Sequence, residues 1–172
     1  MILLILGLAA LASATISGLV GMAGGILLLA TMTFFLPFQV IVPIHGIVQL
    51  TSNITRAAIL RKNIHRRILG YFLLGVPIGG IMGYQLLSRI TKPEWLLILI
   101  IGLLIYVALK PKKLPYIHIP LPAFALLGGI AACLGCLIGA TGPFLAPFFI
   151  REDLSKEQIV ATKAASQLLV HI

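Results

Sequence analysis

Two stretches of apolar sequence each carry polar side chains at every fourth position. The two stripes consist of His45, Gln49 and Asn53 in the first stretch and Lys163, Gln167 and His171 in the second. Residues four apart lie on one face of a helix. Polar groups within a membrane are costly and usually face a bundle interior or a transport pathway. Both stripes supply N–H donors and positive charge, which suit an oxyanion and fit a cation poorly.

These polar residues also have simpler interpretations. His45 or His171 could form a satisfied hydrogen bond between helices. Arg56 lies three residues beyond Asn53 and could extend to the lipid headgroups instead of joining a site. His45 could also titrate near neutral pH and couple a proton to transport.

A glycine-rich sequence precedes each polar stripe. The candidate residues there are Gly21, Gly24 and Gly25 in GMAGG, and Gly139, Thr141 and Gly142 in GATGP. Glycine allows a helix to break and a ligand to approach the backbone closely. The helix that follows a break begins with free N–H groups and partial positive charge, which together bind anions. We therefore predict an anion site at the two breaks, with close helix crossing as the alternative reason for the glycines.

The composition indicates the kind of protein that positions these residues. Of 172 residues, 60% are hydrophobic and only 10% are charged, whereas a soluble domain carries about 25% charge. We predict an all-α, polytopic transmembrane bundle with glycine-broken helices and about six membrane segments, located in the inner cell membrane. The net charge of +9 then marks cytoplasmic loops at 61–67 and 110–113 rather than a nucleic-acid-binding surface.

Several features argue against an enzyme or a metalloprotein. The first 93 residues contain no carboxylate, so no buried acid there can coordinate a cation. Cys133 and Cys136 form a lone CxxC without the further ligands that zinc requires. We predict no cofactor and no metal, with the cysteines serving in packing.

Two apolar segments allow finer predictions. Gly75, Gly79 and Gly83 form a stripe suited to close helix packing. The apolar N-terminus lacks a positively charged region and stays apolar beyond a cleavage-like Ala-Ser-Ala, so we predict a retained first helix rather than a cleaved signal peptide.

An internal repeat appears when the chain is aligned with itself at an offset of 118 residues. The offset pairs Gly21 with Gly139, Gly24 with Gly142, and Gln49 with Gln167. We predict a first repeat over residues 1–124 and an incomplete second repeat over 125–172. The chain is then expected to be a fragment, a truncated gene product, or a half-molecule that a second copy or another subunit completes. A non-transporting membrane scaffold or subunit of a larger complex is the alternative function.

The sequences HGIVQLTSNITRA, GATGPFLAPFF and IVATKAASQLLVHI resemble the TauE/SafE-type sulfite exporter family. The resemblance implies an all-helical permease with two homologous halves, acting on sulfite, sulfonates and related anions. It points to the two glycine breaks and to the six residues of the polar stripes as the site. The expected partners are a small anion and the lipid bilayer, with no nucleic acid, and the expected mechanism is alternating access between the repeats.

Overall fold

The computed structural model describes residues 2–20, 24–92, 94–109 and 117–171. The helices in chain order are α1 (Ile2–Val20), α2 (Gly24–Phe35), α3 (Phe38–Ile59), α4 (Arg66–Arg89), α5 (Glu94–Leu109), α6 (Ala123–Ile138), α7 (Gly142–Phe149) and α8 (Lys156–Val170). A 3-10 turn at Arg61–Asn63 joins α3 to α4. The all-α prediction is confirmed for these residues. Gly21 and the loop predicted to be cytoplasmic at 110–113 lie outside the described residues.

Among the described helices, α4 is the one that is both long and apolar enough to cross a membrane. The shorter apolar helices are Leu4–Ile16, Gly24–Phe35, Glu94–Leu103 and Ala123–Ile138. Large apolar side chains on α4 point away from the protein: Leu74 is 66% exposed and Ile78 is 65% exposed. Such a surface is matched to lipid rather than to water.

Helices α6 and α7 form a hairpin whose tip is the GATGP sequence. Gly139 ends α6 with φ of 65°, a left-handed conformation that favours glycine. The chain then reverses, because Phe149 at the end of α7 contacts Phe124 at the start of α6, with ring centroids 5.4 Å apart. The break is thus a reversal of the chain and not a gap in one continuous helix.

Arg151 closes the open end of this hairpin. Its Nη1 donates to the Ile119 carbonyl at 3.0 Å, and its Nε donates to Asp153 Oδ1 at 2.8 Å. The hydrogen bond from Arg151 lowers the pKa of Asp153. The loops before α6 and after α7 are therefore held together on one side of the molecule.

Helices α3 and α8 pack against each other in opposite directions. In the turn that follows α3, the His65 N–H donates to Thr162 Oγ1 in the second turn of α8 at 2.8 Å. Near the start of α3, His45 contacts the hairpin tip, where Val170 at the end of α8 packs beside Gly135. The two helices that carry the polar stripes are therefore antiparallel.

The glycine stripe of α4 packs directly on the backbone of α6, as the sequence predicted. A Cβ on Gly79 would lie 1.9 Å from the Gly129 carbonyl oxygen, and one on Gly83 would lie 2.9 Å from Cys133 Cα. Cys133 and Cys136 are both free thiols. They lie along this contact, beside Gly83.

The buried hydrophobic side chains form two clusters. One joins α2, α3, α5 and α6 around Leu29 and Ile100, and the other joins α4, α6 and α7 around Phe72 and Phe149. Helix α8 starts with a capping box in which Ser155 Oγ accepts from the Gln158 N–H at 3.2 Å and Gln158 Oε1 accepts from the Ser155 N–H at 2.9 Å. The helices that carry the candidate residues are thus fixed at their ends and along their apolar faces.

Helix starts recur at the spacing predicted for the repeat. Helices α2 and α7 begin 118 residues apart, and α3 and α8 also begin 118 residues apart. Helix α6 starts at Ala123, two residues before the predicted start of the second repeat. Along the chain, helices α4 and α5 follow α2 and α3 and precede α7 and α8.

Candidate functional site

A small polar cavity lies where the hairpin tip meets the start of α2 and the polar faces of α3 and α8. Its lining consists of Gly25, Ile26, Gln49, Arg56, Gly139, Ala140, Thr141, Gly142, Pro143, Lys163, Gln167 and His171. The cavity volume is about 10 Å³, enough for about one water molecule. Residues that are far apart in the sequence therefore converge on one small cavity.

Each helix that follows a glycine break holds a glutamine amide against its first turn. A Cβ on Gly25 would lie 1.9 Å from Gln49 Nε2, and a Cβ on Gly142 would lie 3.1 Å from Gln167 Nε2. The glycines thus leave space for amide donors beside a helix N-terminus, where free N–H groups already attract negative charge.

His45 connects the two breaks. Its Nε2 lies 2.7 Å from the Gly25 carbonyl oxygen, and its Nδ1 lies 3.0 Å from the Gly139 carbonyl oxygen. The side chain is completely buried. Gln49 Nε2 lies 3.3 Å from His45 Nε2, so the histidine contacts both backbone breaks and one of the two glutamines.

Several buried polar atoms at and around the cavity have no hydrogen-bond partner within the described part of the chain. They are Asn53 Nδ2 and Oδ1, Thr141 Oγ1, Ser166 Oγ and His171 Nε2. Thr141 is 1% exposed and lies at the hairpin tip. Because an unsatisfied buried hydroxyl is costly, this arrangement is typical of a site that gains its partners from a ligand.

The charged groups of the cavity are all basic. Lys163 is buried, and Arg56 donates from Nη2 to Ser52 Oγ at 2.9 Å and from Nε to the Ser52 carbonyl at 3.3 Å. Among the described residues that line the cavity there is no carboxylate. The lining therefore favours an anion over a cation.

The structure brings most of the predicted site residues together. Those that line the cavity are Gly25, Gln49, Gly139, Thr141, Gly142, Lys163, Gln167 and His171. His45 is not part of the lining, but it contacts Gly25, Gly139 and Gln49, which are. The Gly24 carbonyl accepts a hydrogen bond from Ser13. Asn53 is fully buried but is not part of the lining.

Some cavity residues were not among the predicted site residues. Arg56 had two interpretations, and the structure places it in the lining. Its position on the same face as the polar stripe was the signal for this role. Ile26, Ala140 and Pro143 line the cavity as well, and nothing but their closeness to the glycines could have indicated them.

A comparison with known families identifies the family of the chain. The family model described as sulfite exporter TauE/SafE matches residues 5–172. The chain belongs to the TauE/SafE sulfite exporter family. The resemblance predicted from the sequence is therefore confirmed, and the match covers both breaks and both polar stripes. TauE/SafE proteins are membrane permeases and transporters rather than enzymes. No curated protein and no solved structure matches the chain.

Proposed function

We propose that this TauE/SafE protein is a multi-pass permease of the inner cell membrane that carries small anions such as sulfite, sulfonates or related organic anions. The observation that carries the proposal is Thr141 Oγ1, a fully buried hydroxyl that has no partner in the described structure and lies at the N-terminus of α7. A basic cavity surrounds it. An anion would supply the missing acceptor.

The groups around Thr141 supply hydrogen-bond donors and a positive charge for the oxygens of an oxyanion. The first-turn N–H groups of α7, on Gly142 and Phe144, have no acceptor within the helix. The Gln49 and Gln167 amides add further donors, and Lys163 supplies the countercharge. Hydrogen bonds between charged and polar groups are roughly twice as strong as neutral ones, so these donors favour a charged oxygen over a neutral one.

Alternating access between two inverted repeats is supported by the arrangement of the helices. Two pairs of helices start 118 residues apart, and the members of the pair that carries the stripes, α3 and α8, run in opposite directions. Inverted repeats of this kind place the binding site between them. The proposed repeats are residues 1–124 and 125–172.

The cavity itself supports a cycle with closed and open states. Its volume of about 10 Å³ corresponds to about one water molecule, and sulfite is larger. A cavity of this size supports a closed state, from which anion entry requires the hairpin tip to separate from α3 or α8.

Sulfite flux into liposomes that contain the purified protein tests the proposal. We expect Lys163→Ala and Gln49→Ala to lower flux and sulfite affinity by about tenfold or more, since each removes a hydrogen bond to a charged group worth about 1.5–3 kcal/mol. The matched controls are Lys156→Ala, an exposed lysine of the same helix, and Gln85→Ala, an exposed glutamine of α4.

The outcomes separate the function from the site. Absence of sulfite binding and flux in the wild type would overturn the permease proposal. Wild-type flux that both site variants retain would leave a permease whose binding site lies elsewhere. Loss of flux in the control variants as well would show that the effect is not specific to the cavity.

A further inference from the structure

Both ring nitrogens of His45 face backbone carbonyl oxygens. Nε2 lies 2.7 Å from the Gly25 oxygen, and Nδ1 lies 3.0 Å from the Gly139 oxygen. A carbonyl oxygen can only accept a hydrogen bond. A neutral imidazole has a single N–H, so it can donate to just one of these two oxygens.

The Gln49 amide lies beside His45 Nε2, so whether the two side chains form a hydrogen bond depends on where His45 carries its proton. In neutral His45 with its proton on Nδ1, Nε2 carries a lone pair that can accept from Gln49 Nε2, which is 3.3 Å away. When a proton is added to Nε2, this nitrogen becomes a donor to Gly25 and no longer accepts from the amide. Protonation therefore satisfies both carbonyls at once, which neither neutral tautomer can do, and it leaves the Gln49 amide free to donate into the cavity.

The charged and titratable groups of the cavity beside His45 are all basic. Arg56 on its own helix and Lys163 and His171 on α8 line the cavity, and His171 lies near enough to His45 for their charges to interact. The described residues of α2 and of the hairpin tip that contact His45 carry no ionisable side chain. An anion in the cavity favours protonation of His45, because its charge stabilises the imidazolium.

We propose that each anion binds together with one proton, which His45 takes up on Nε2, so that the permease carries anion and proton together. This inference rests on the proposed function, since it assigns the coupled ion of the same site. Thermodynamic linkage is reciprocal: if the anion favours the protonated histidine, the protonated histidine binds the anion more tightly by the same factor. The proton also completes the contacts of α3 with both breaks, which favours the closed state around the anion.

Proton uptake on sulfite binding tests the coupling. Titration calorimetry of the purified protein in buffers of different ionisation enthalpy gives the number of protons taken up per sulfite bound. We expect the wild type to take up about one proton more than His45→Gln at the same pH. The protonation of sulfite itself contributes equally to both proteins and cancels in the difference. His118→Gln, an exposed histidine in the loop before α6, is the control and should match the wild type.

The pH dependence gives a second measure. Where His45 is neutral in the free protein and protonated in the complex, sulfite affinity should fall by up to about tenfold per pH unit as the pH rises, because one proton is linked to binding. The part of this pH dependence that is due to His45 should be absent from His45→Gln. Equal proton uptake and equal slopes in the two proteins would overturn the coupling while the permease proposal stands, whereas no sulfite binding by the wild type would overturn both.

Nitrogen NMR of the wild type covers the case in which His45→Gln fails to fold. With ¹⁵N-labelled histidine and assignment through His65→Gln, His118→Gln and His171→Gln, the His45 signals should move to imidazolium positions when sulfite saturates the protein. Neutral imidazole signals at saturation would contradict the proposal.

Discussion

Individual polar residues divide into those that hold the fold and those whose partners are missing. Thr162 and Thr141 are both fully buried threonines close to the polar helices. Thr162 Oγ1 accepts a hydrogen bond from the His65 N–H, whereas Thr141 Oγ1 has no partner among the described residues. The same residue type thus has a structural role in one place and is available to a ligand in the other.

Replacing these threonines with valine should separate stability from binding. For Thr141→Val we expect an unchanged or slightly higher unfolding temperature in detergent and about tenfold weaker sulfite binding, because the hydroxyl contacts only the anion. For Thr162→Val we expect a loss of about 1–3 kcal/mol of stability, because a buried N–H loses its acceptor. Equal destabilisation by the two variants would contradict this distinction.

Gly25 provides a second test at the residue scale. The Cβ of Gly25→Ala would overlap with Gln49 Nε2 at 1.9 Å, and the flexible glutamine can move away at little cost in stability. We expect sulfite affinity to fall about tenfold, since a hydrogen bond to a charged group is worth about 1.5–3 kcal/mol. The control is Gly46→Ala on α3, where a Cβ would meet nothing within 4 Å. Unchanged affinity in Gly25→Ala would exclude Gln49 as an anion ligand.

At the scale of helices, the contact between α4 and α6 gives the bundle its closest packing. Glycines on both helices bring the two backbones together, and Gly75 lies so close to α6 that a Cβ would meet the Ala125 carbonyl oxygen at 1.8 Å. Helix α6 in turn carries the hairpin tip. The packing of α4 is therefore linked to the position of Gly139 and Thr141.

Two neighbouring glycines of α4 test this contact. Gly79→Ala should lower stability by about 1–3 kcal/mol, because its Cβ would push the backbones apart. Gly80→Ala should be neutral or stabilising by about 0.5–1 kcal/mol, because a Cβ there meets nothing within 4 Å and alanine favours a helix. Thermal unfolding in detergent measures both, and similar values for the two variants would show that the glycines do not set the helix distance.

At the scale of the whole molecule, the hairpin and the antiparallel α3 and α8 fix which loops share a side. The α3–α4 loop contacts α8 through Thr162, and the loops on either side of the α6–α7 hairpin are joined by Arg151. The basic residues at 61–67 predict that this side is cytoplasmic. The loop between α4 and α5 then lies on the opposite side.

Cysteine labelling can test this topology. In a variant with Cys133 and Cys136 replaced by alanine, Lys62→Cys and Lys156→Cys should react with a membrane-impermeant thiol reagent in inside-out vesicles and not in right-side-out vesicles. Thr91→Cys should show the opposite pattern. All three residues are exposed. Labelling of Lys62→Cys and Lys156→Cys from different sides would contradict the arrangement.

The sequence by itself determined what depends on composition and local spacing. Apolar content and the period of the polar stripes predicted helices, the glycine spacing of α4 predicted close packing, and the offset of 118 residues matched helix starts found in the structure. These properties follow from side-chain chemistry within one helix. The family resemblance followed from motifs of the same local kind.

Only the tertiary structure decided which residues meet and in what orientation. It showed that the chain reverses at Gly139, that α3 and α8 are antiparallel, that Arg56 lines the cavity, and that Asn53 does not. His45 is the clearest case, because its two carbonyl partners lie 20 and 94 residues away along the chain. No local pattern encodes such distances; they arise when separate helices pack together.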